Sequence, residues 1–301
     1  MASHQVAIAK HRFAFGYFRQ SFWNWLIGTA FFLGGVGGGL FLISMLLHYP
    51  AGMLAGYLIV MIGKNAAHLK FLGRPERFWR AAMRPDRSWI ARGIWATGFF
   101  GLSGMLLLLP YLFGLHWQLS GALQTAVTAI AGASAFFLMF YDGFVLNSSC
   151  GIAFWRTLLL PLLMLMYATL GASTLSLTLR NLRSEAIPGL LTNLEHLLLV
   201  LNALMIVVYL ARMHQALPAA RETLQQWLRG RYSRPFFGLV LGVGLLATLM
   251  LSLAETRVEA QWLVILIAAC ELTGDFSLIM LFLKSGLFPV QTAPAYARGW
   301  Q

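Results

Sequence analysis

Residues 23–47 read WNWLIGTAFFLGGVGGGLFLISMLL, an unbroken stretch without one ionisable side chain. A hydrocarbon core roughly 30 Å thick is crossed by about 20 apolar residues in a helix, so this stretch is long enough to span it. Further runs of the same kind lie near 51–69, 91–113, 119–146, 157–179, 190–212, 236–254 and 260–283. Helix stops separate them: Tyr49-Pro50, Arg84-Pro85-Asp86, Ile187-Pro188 and Arg234-Pro235. Backbone amides in lipid have no water to bond, so runs this long read as helices, whose backbone bonds are internal. The expectation is an all-α polytopic membrane protein of eight transmembrane helices, with 1–301 forming a single integral membrane domain. The fourth and eighth runs exceed one bilayer width, and tilt or protrusion would absorb the excess.

Composition agrees. The chain is 59% hydrophobic and 11% charged, against about 45–50% and about 25% in soluble domains. The first run is long, Gly-rich and without a small-residue cleavage site, so it reads as a retained span rather than a secretory signal. Cys150 and Cys270 are far apart and form no CxxC pair, which points away from a disulfide framework and from a cluster bound by this chain. A net charge of +12 raises nucleic acid as a partner, but its place in short loops between spans argues against that.

Assigning the loops alternately to two faces gives a strong asymmetry. One face takes both termini and the loops at 64–92, 148–156 and 212–234, and collects 19 of the 22 Lys and Arg residues. The other keeps Arg180, Arg183 and Arg257. Under the positive-inside rule the first face is cytoplasmic. Both termini are then expected inside a multi-pass protein of the inner (cytoplasmic) membrane. On that face Arg74-Pro75-Glu76-Arg77-Phe78-Trp79-Arg80 and the basic amphipathic stretch 219–232 either lie on anionic headgroups or form a docking surface for a soluble partner.

Ionisable groups inside a membrane are costly and mark function by default. Asp142, Glu195, Glu271 and Asp275 fall within the spans, and Glu271 and Asp275 share a helix face. Each is either protonated or paired internally, or, with Lys64, His68 and His196, part of a proton or ligand pathway. Tyr141-Asp142-Gly143 is the most pointed cluster: a phenol and a carboxylic acid at one depth could hydrogen-bond a quinone carbonyl and relay its proton. His68 reaches the same face, and histidine is the side chain whose ordinary range spans neutrality. Trp23, Asn24 and Trp25 enter the first span there, where an interfacial aromatic belt is the alternative. Gly34-Gly35-Val36-Gly37-Gly38-Gly39 has no strand before it, so close helix packing explains it better than a phosphate loop; it would also leave room for a flat ligand. His48 with His196, or His68 with His214, would be the haem pairs to consider. No metal site is expected.

These residues resemble the NrfD/polysulfide-reductase membrane-subunit family. The matching stretches are the glycines at 34–39, His68-Leu69-Lys70-Phe71-Leu72-Gly73-Arg74-Pro75-Glu76-Arg77, Tyr141-Asp142-Gly143 followed by Gly151-Ile152-Ala153-Phe154-Trp155, and Glu271-Leu272-Thr273-Gly274-Asp275 with Lys284-Ser285-Gly286. The resemblance implies two four-helix bundles, about 20–147 and about 157–286, in a quinone-reactive anchor that generally carries no haem. It implies a docked iron–sulfur (ferredoxin-like) subunit serving a molybdopterin-type catalytic subunit, and a pocket for menaquinone or ubiquinone in the first bundle, on the partner's face. Some members place a His and an Asn inside span one, where this chain has Ile27, Thr29 and Ala30, and Asp142 stands where a small polar residue is usual.

The resulting expectation is a membrane subunit passing electrons between quinone or quinol and the docked clusters. Tyr141, Asp142 and His68 would carry the chemistry, with Asn24, Thr29 and Arg74 also contacting quinone. Asp142, Glu195, Glu271 and Asp275 would form a proton pathway, and Arg74, Arg77 and Arg80 would hold the partner. A haem b-bearing anchor and a proton or substrate transporter are the alternatives.

Overall fold

The computed structural model describes residues 17–115, 119–149, 151–255 and 260–289. Lys10, Arg12, Cys150, Arg257 and Arg298, which entered the charge and cysteine arguments, lie outside the described residues, as do both chain ends. Most of the described residues are helical. Helix α1 is Trp25–Leu46. The run 50–71, α2, is Pro50–Leu58, a π-helical segment Ile59–Lys64 and Asn65–Phe71 in uninterrupted succession. Then come α3 (Trp89–Phe113), α4 (Gly121–Leu138), α5 (Tyr141–Asn147), α6 (Leu159–Leu182), α7 (Gly189–His214), α8 (Pro218–Leu228), α9 (Ser233–Glu255) and α10 (Gln261–Ser285). Among the described residues, seven helices are long and apolar enough to cross a membrane: α1, α3, α4, α6, α7, α9 and α10.

Local chemistry sets the ends. Asn24 Oδ1 accepts from Leu26 N at 2.9 Å to cap α1, and Ser88 Oγ accepts from Ala91 N at 3.2 Å to cap α3. Pro50 and Pro218 open α2 and α8, where a missing N–H costs nothing. Gly114, at φ +59°, closes α3 in the left-handed conformation that glycine adopts most readily. The run 119–146 is not one long helix. After Leu138 the turn tightens to i→i−3 bonds, and Phe140 leaves helical geometry at φ −132°. A new helix starts on Tyr141, with Asp142 in its first turn, where a carboxyl group suits the helix dipole.

The glycine run of α1 is filled by other helices on several sides. A methyl group at Gly39 would lie 2.7 Å from Ala172 Cβ and 3.0 Å from Ala168 O of α6; one at Gly38 would lie 2.9 Å from Ala135 O of α4. Helices without side chains at the contact approach backbone to backbone, the membrane substitute for a hydrophobic driving force. No room for a flat ligand is left there. Gly244 and Gly274 bring α9 and α10 together in the same way.

Two elements tie the ends of the helical array. Strand β1 (Phe18–Arg19) pairs antiparallel with β2 (Leu287–Phe288), Phe18 opposite Phe288. Helix α8 does not lay its apolar face on lipid, as an isolated amphipathic stretch would. Trp227, only 1% exposed, sits 5.2 Å from Phe154, 5.0 Å from Phe282 and 5.3 Å from Phe236 between ring centroids, and Tyr232 Oη donates to Lys284 O at 2.8 Å.

The glycine contacts predict a sharp contrast. Gly39→Val overpacks the α1–α6 contact, at a cost of about 1–3 kcal/mol or more, and should lower the detergent melting temperature. Gly98→Ala meets nothing within 4 Å and should leave it unchanged. Thermal unfolding of the two purified variants checks this.

Candidate functional site

A cavity of about 550 Å³ opens between α1, α2, α3 and α5, with Phe78 and Ala81 of the 3₁₀ segment Pro75–Ala82 on its wall. Its size falls in the range of roughly 300–1,000 Å³ typical of small-molecule sites. The wall is largely apolar and aromatic, with Trp23, Ile27 and Phe31 from the α1 end, and a few polar groups converge on it: Lys64, Asn65, His68, Thr97 and Tyr141.

Each of these is positioned by its helix. Lys64 Nζ donates to Thr97 Oγ1 at 2.7 Å, and Thr97 Oγ1 donates back to Gly93 O at 2.7 Å on its own helix. Gly93 makes space for the phenol, since a methyl there would lie 2.6 Å from Tyr141 Cε2. The Tyr141 ring stacks on Phe137 at 6.1 Å, meets Phe31 edge-on at 6.1 Å, and lies 5.8 Å from Lys64 Nζ. His68 Nδ1 lies 3.3 Å from Lys64 O, and the imidazole is 6.3 Å from the Phe31 ring.

The residues expected at the site divide. Tyr141 and His68 line the cavity. Asn24, Thr29 and Arg74 do not. Asn24 spends its side chain on the α1 cap, Thr29 Oγ1 donates to Trp25 O at 2.9 Å, and Arg74 is exposed outside the cavity wall. Asp142 is buried but turned away from the cavity, because successive residues of α5 point about 100° apart. Its Oδ1 accepts from Gly143 N at 2.8 Å, and the side chain faces a second, much smaller void.

That void, about 10 Å³, has room for about one water. Asp142, Tyr167 and Asp275 all line it, and Phe31 stands between it and the large cavity, contributing to both walls. Neither Asp275 oxygen nor the Tyr167 hydroxyl has a hydrogen-bond partner among the described residues. Gly171 gives Asp275 its space, a methyl there lying 3.1 Å from Oδ2. One turn along α10 from Asp275, Glu271 meets the Thr174 hydroxyl, which also lies 3.1 Å from Glu195 Oε1. A hydroxyl has one proton to give, so a hydrogen-bonded bridge to both acids needs a proton from one of the carboxyl groups. Beyond Glu195, His196 Nε2 lies 2.8 Å from Ser252 Oγ. Asp142 and Asp275 thus share one void, Asp275 and Glu271 are one turn apart on α10, and Glu271 and Glu195 share the Thr174 hydroxyl. Tyr167, Thr174 and Thr97 were missed from sequence, because a helical Thr or Tyr carries no signal of what faces it.

Arg77 and Arg80 lie on the exposed 3₁₀ segment with Trp79, itself 50% exposed. Arg77 approaches Glu76 at 3.9 Å and Arg80 sits 5.4 Å from the Trp79 ring centroid. Of the histidines considered for haem, His48 and His214 are exposed, while His68 and His196 hold the contacts already given. Among the described residues, no group of three or more His, Cys, Asp or Glu side chains is placed to hold a metal ion.

Fold and site together define a multi-pass helical membrane protein with an internal, mostly apolar chamber beside a set of buried acids. The family model for polysulphide reductase, NrfD, matches residues 15–291, and the chain belongs to that family. Members are membrane subunits of quinone-interacting oxidoreductase complexes, generally partnered by iron–sulfur and catalytic subunits. No curated protein matches the chain.

Proposed function

We propose that this chain is the quinone-reactive membrane subunit of a multi-subunit oxidoreductase, exchanging electrons with an iron–sulfur subunit that serves a molybdopterin-type catalytic subunit. The observation that carries this is the 550 Å³ chamber with Tyr141, His68 and Lys64 on an otherwise apolar wall. A flat quinone ring fits an apolar, aromatic slot, and its two carbonyl oxygens need a small number of donors, which is what these side chains offer. The exposed Arg74–Arg80 segment covers the chamber, so a docked iron–sulfur protein would bring its cluster close to the ring.

The line Asp142, Asp275, Glu271, Glu195 serves in this reading as the proton pathway, with a water in the small void joining Asp142 to Asp275. Tyr141→Phe removes one hydroxyl and leaves the ring stacking in place. Losing a hydrogen bond to a bound oxygen costs about 1–3 kcal/mol, so quinol turnover by the assembled complex should fall about five- to a hundredfold. Glu271→Gln lies outside the chamber and should lower turnover while leaving quinone affinity within about threefold. Wild-type rates in both variants would remove Tyr141 and the acid line from the reaction. A stoichiometric b-type haem band in the purified complex would favour the haem-bearing anchor instead.

The topology in this reading has eight crossings in two four-helix bundles, α1–α4 and α6, α7, α9 and α10. Support comes from the β1–β2 pair, which joins residues 18 and 288. Ends that meet on one side require an even number of crossings, and the seven long helices become eight when α2 is counted. The basic bias puts both ends in the cytoplasm. A reporter enzyme that works only after export should be inactive when fused at Gln301; activity there would invert the orientation and place the partner subunits outside.

A further inference from the structure

Lys64 is the feature of the chamber that simple quinone binding leaves unexplained. It is 4% exposed, and none of the ion pairs among the described residues involves it. Burying an ammonium group without a carboxylate is expensive, and the acids nearby do not relieve it. Asp142, the acid adjacent to Tyr141, faces the other void, and Glu76 is drawn to Arg77 on the outside. Thr97 takes one of the three N–H donors and the Tyr141 ring is a weak cation–π partner at 5.8 Å. The remaining donors border the chamber.

Three features hold the ammonium there, two of the backbone and one side chain. The π segment Ile59–Lys64 ends on Lys64; such a turn inserts an extra residue and offsets the helix faces, and π turns recur at functional sites. Gly34 of α1 provides the channel for the stem, since a methyl there would lie 3.1 Å from Lys64 Cδ. Thr97 then fixes the tip. A chain that merely needed an apolar wall at this point would carry leucine.

We propose that Lys64 is the anion-recognising residue of the chamber: its ammonium contacts an ionised ring oxygen of the bound quinone-class ligand, so the site favours the oxyanion form over the neutral one. This rests on the quinone reading above and adds the charge state of the ligand to it. A cation fixed beforehand at the place where negative charge collects needs no reorganisation when the ligand ionises.

The test uses membranes containing the full-length chain and two probes: an alkyl-tailed hydroxynaphthoquinone, ionised at neutral pH, and its O-methyl ether, which cannot ionise. Wild type should bind the anion at least about tenfold more tightly than the ether. Lys64→Met should weaken the anion about ten- to a hundredfold, leave the ether within about threefold, and shift the bound anion's visible band toward that of the free dye. Lys64→Arg should keep part of the preference. Because Lys64→Met relieves a buried charge, its melting temperature should be unchanged or higher, which a structural lysine would not show. If that variant fails to accumulate, Thr97→Val decides: freeing the ammonium should reduce the preference severalfold, and an unchanged preference overturns the proposal. Equal losses for both probes in Lys64→Met, or none for either, also overturn it. Wild type binding neither probe would instead bring down the quinone reading itself.

Discussion

The close approach of α1 to α6, glycine against alanine, is the contact on which both halves of the site depend. Gly35 faces Ala168 and Gly39 faces Ala172 with no side chain able to intervene. That contact sets Phe31 of α1 at the boundary between the chamber and the small void. It also brings Gly171 of α6 against Asp275 of α10. Larger residues on this stripe would separate the helices and break the line of acids from the chamber together. The apolar character of the first span, which makes it a membrane helix, therefore accounts for only part of its sequence. Its glycines serve the tertiary contact.

The fold separates two chemical groups that lie side by side in the sequence. Tyr141 and Asp142 are neighbours, but the break at Phe140 restarts the helix so that the phenol enters the chamber and the carboxyl group enters the void behind it. In the proposed reaction the chamber orients the ring, excludes water and presents donors to its oxygens. The same proposal has the acids behind it, Asp142, Asp275, Glu271 and Glu195, supply or remove protons, with the Thr174 hydroxyl between the last pair. Among the described residues, Phe31 alone lines both walls.

Much of the fold was legible because a bilayer allows few solutions. Long apolar runs with proline-marked ends became helices, and the glycine run packed as small residues in lipid do. The break inside 119–146 was not legible, because no proline or glycine marks Phe140; tertiary packing of the aromatic side chains around it decides the local backbone. At the candidate site, the titratable residues inside spans are legible as buried, costly groups from sequence alone, and the structure buries Lys64, Asp142, Glu195, Glu271 and Asp275. Their facing is not legible. Tyr141 and Asp142 are adjacent in sequence yet face different voids, Asn24 caps α1, Thr29 bonds back to Trp25 and Arg74 is exposed, and none of these placements is written in the residue types. The amphipathic stretch 219–232 pointed to a surface, but its tryptophan is claimed by Phe154, Phe236 and Phe282 from within the protein.

The proposed quinone site is the chamber beside Tyr141 and Lys64. Photoaffinity labelling with an azido-quinone, followed by mass spectrometric mapping of the adduct in the intact membrane complex, examines this directly. Adducts in α2 between Met61 and Leu72 and in α3 between Ile90 and Gly98, suppressed by excess unlabelled quinone, are the predicted result. Competed labelling confined to the lipid-facing side chains of α7 or α9, with none on the chamber wall, would contradict it.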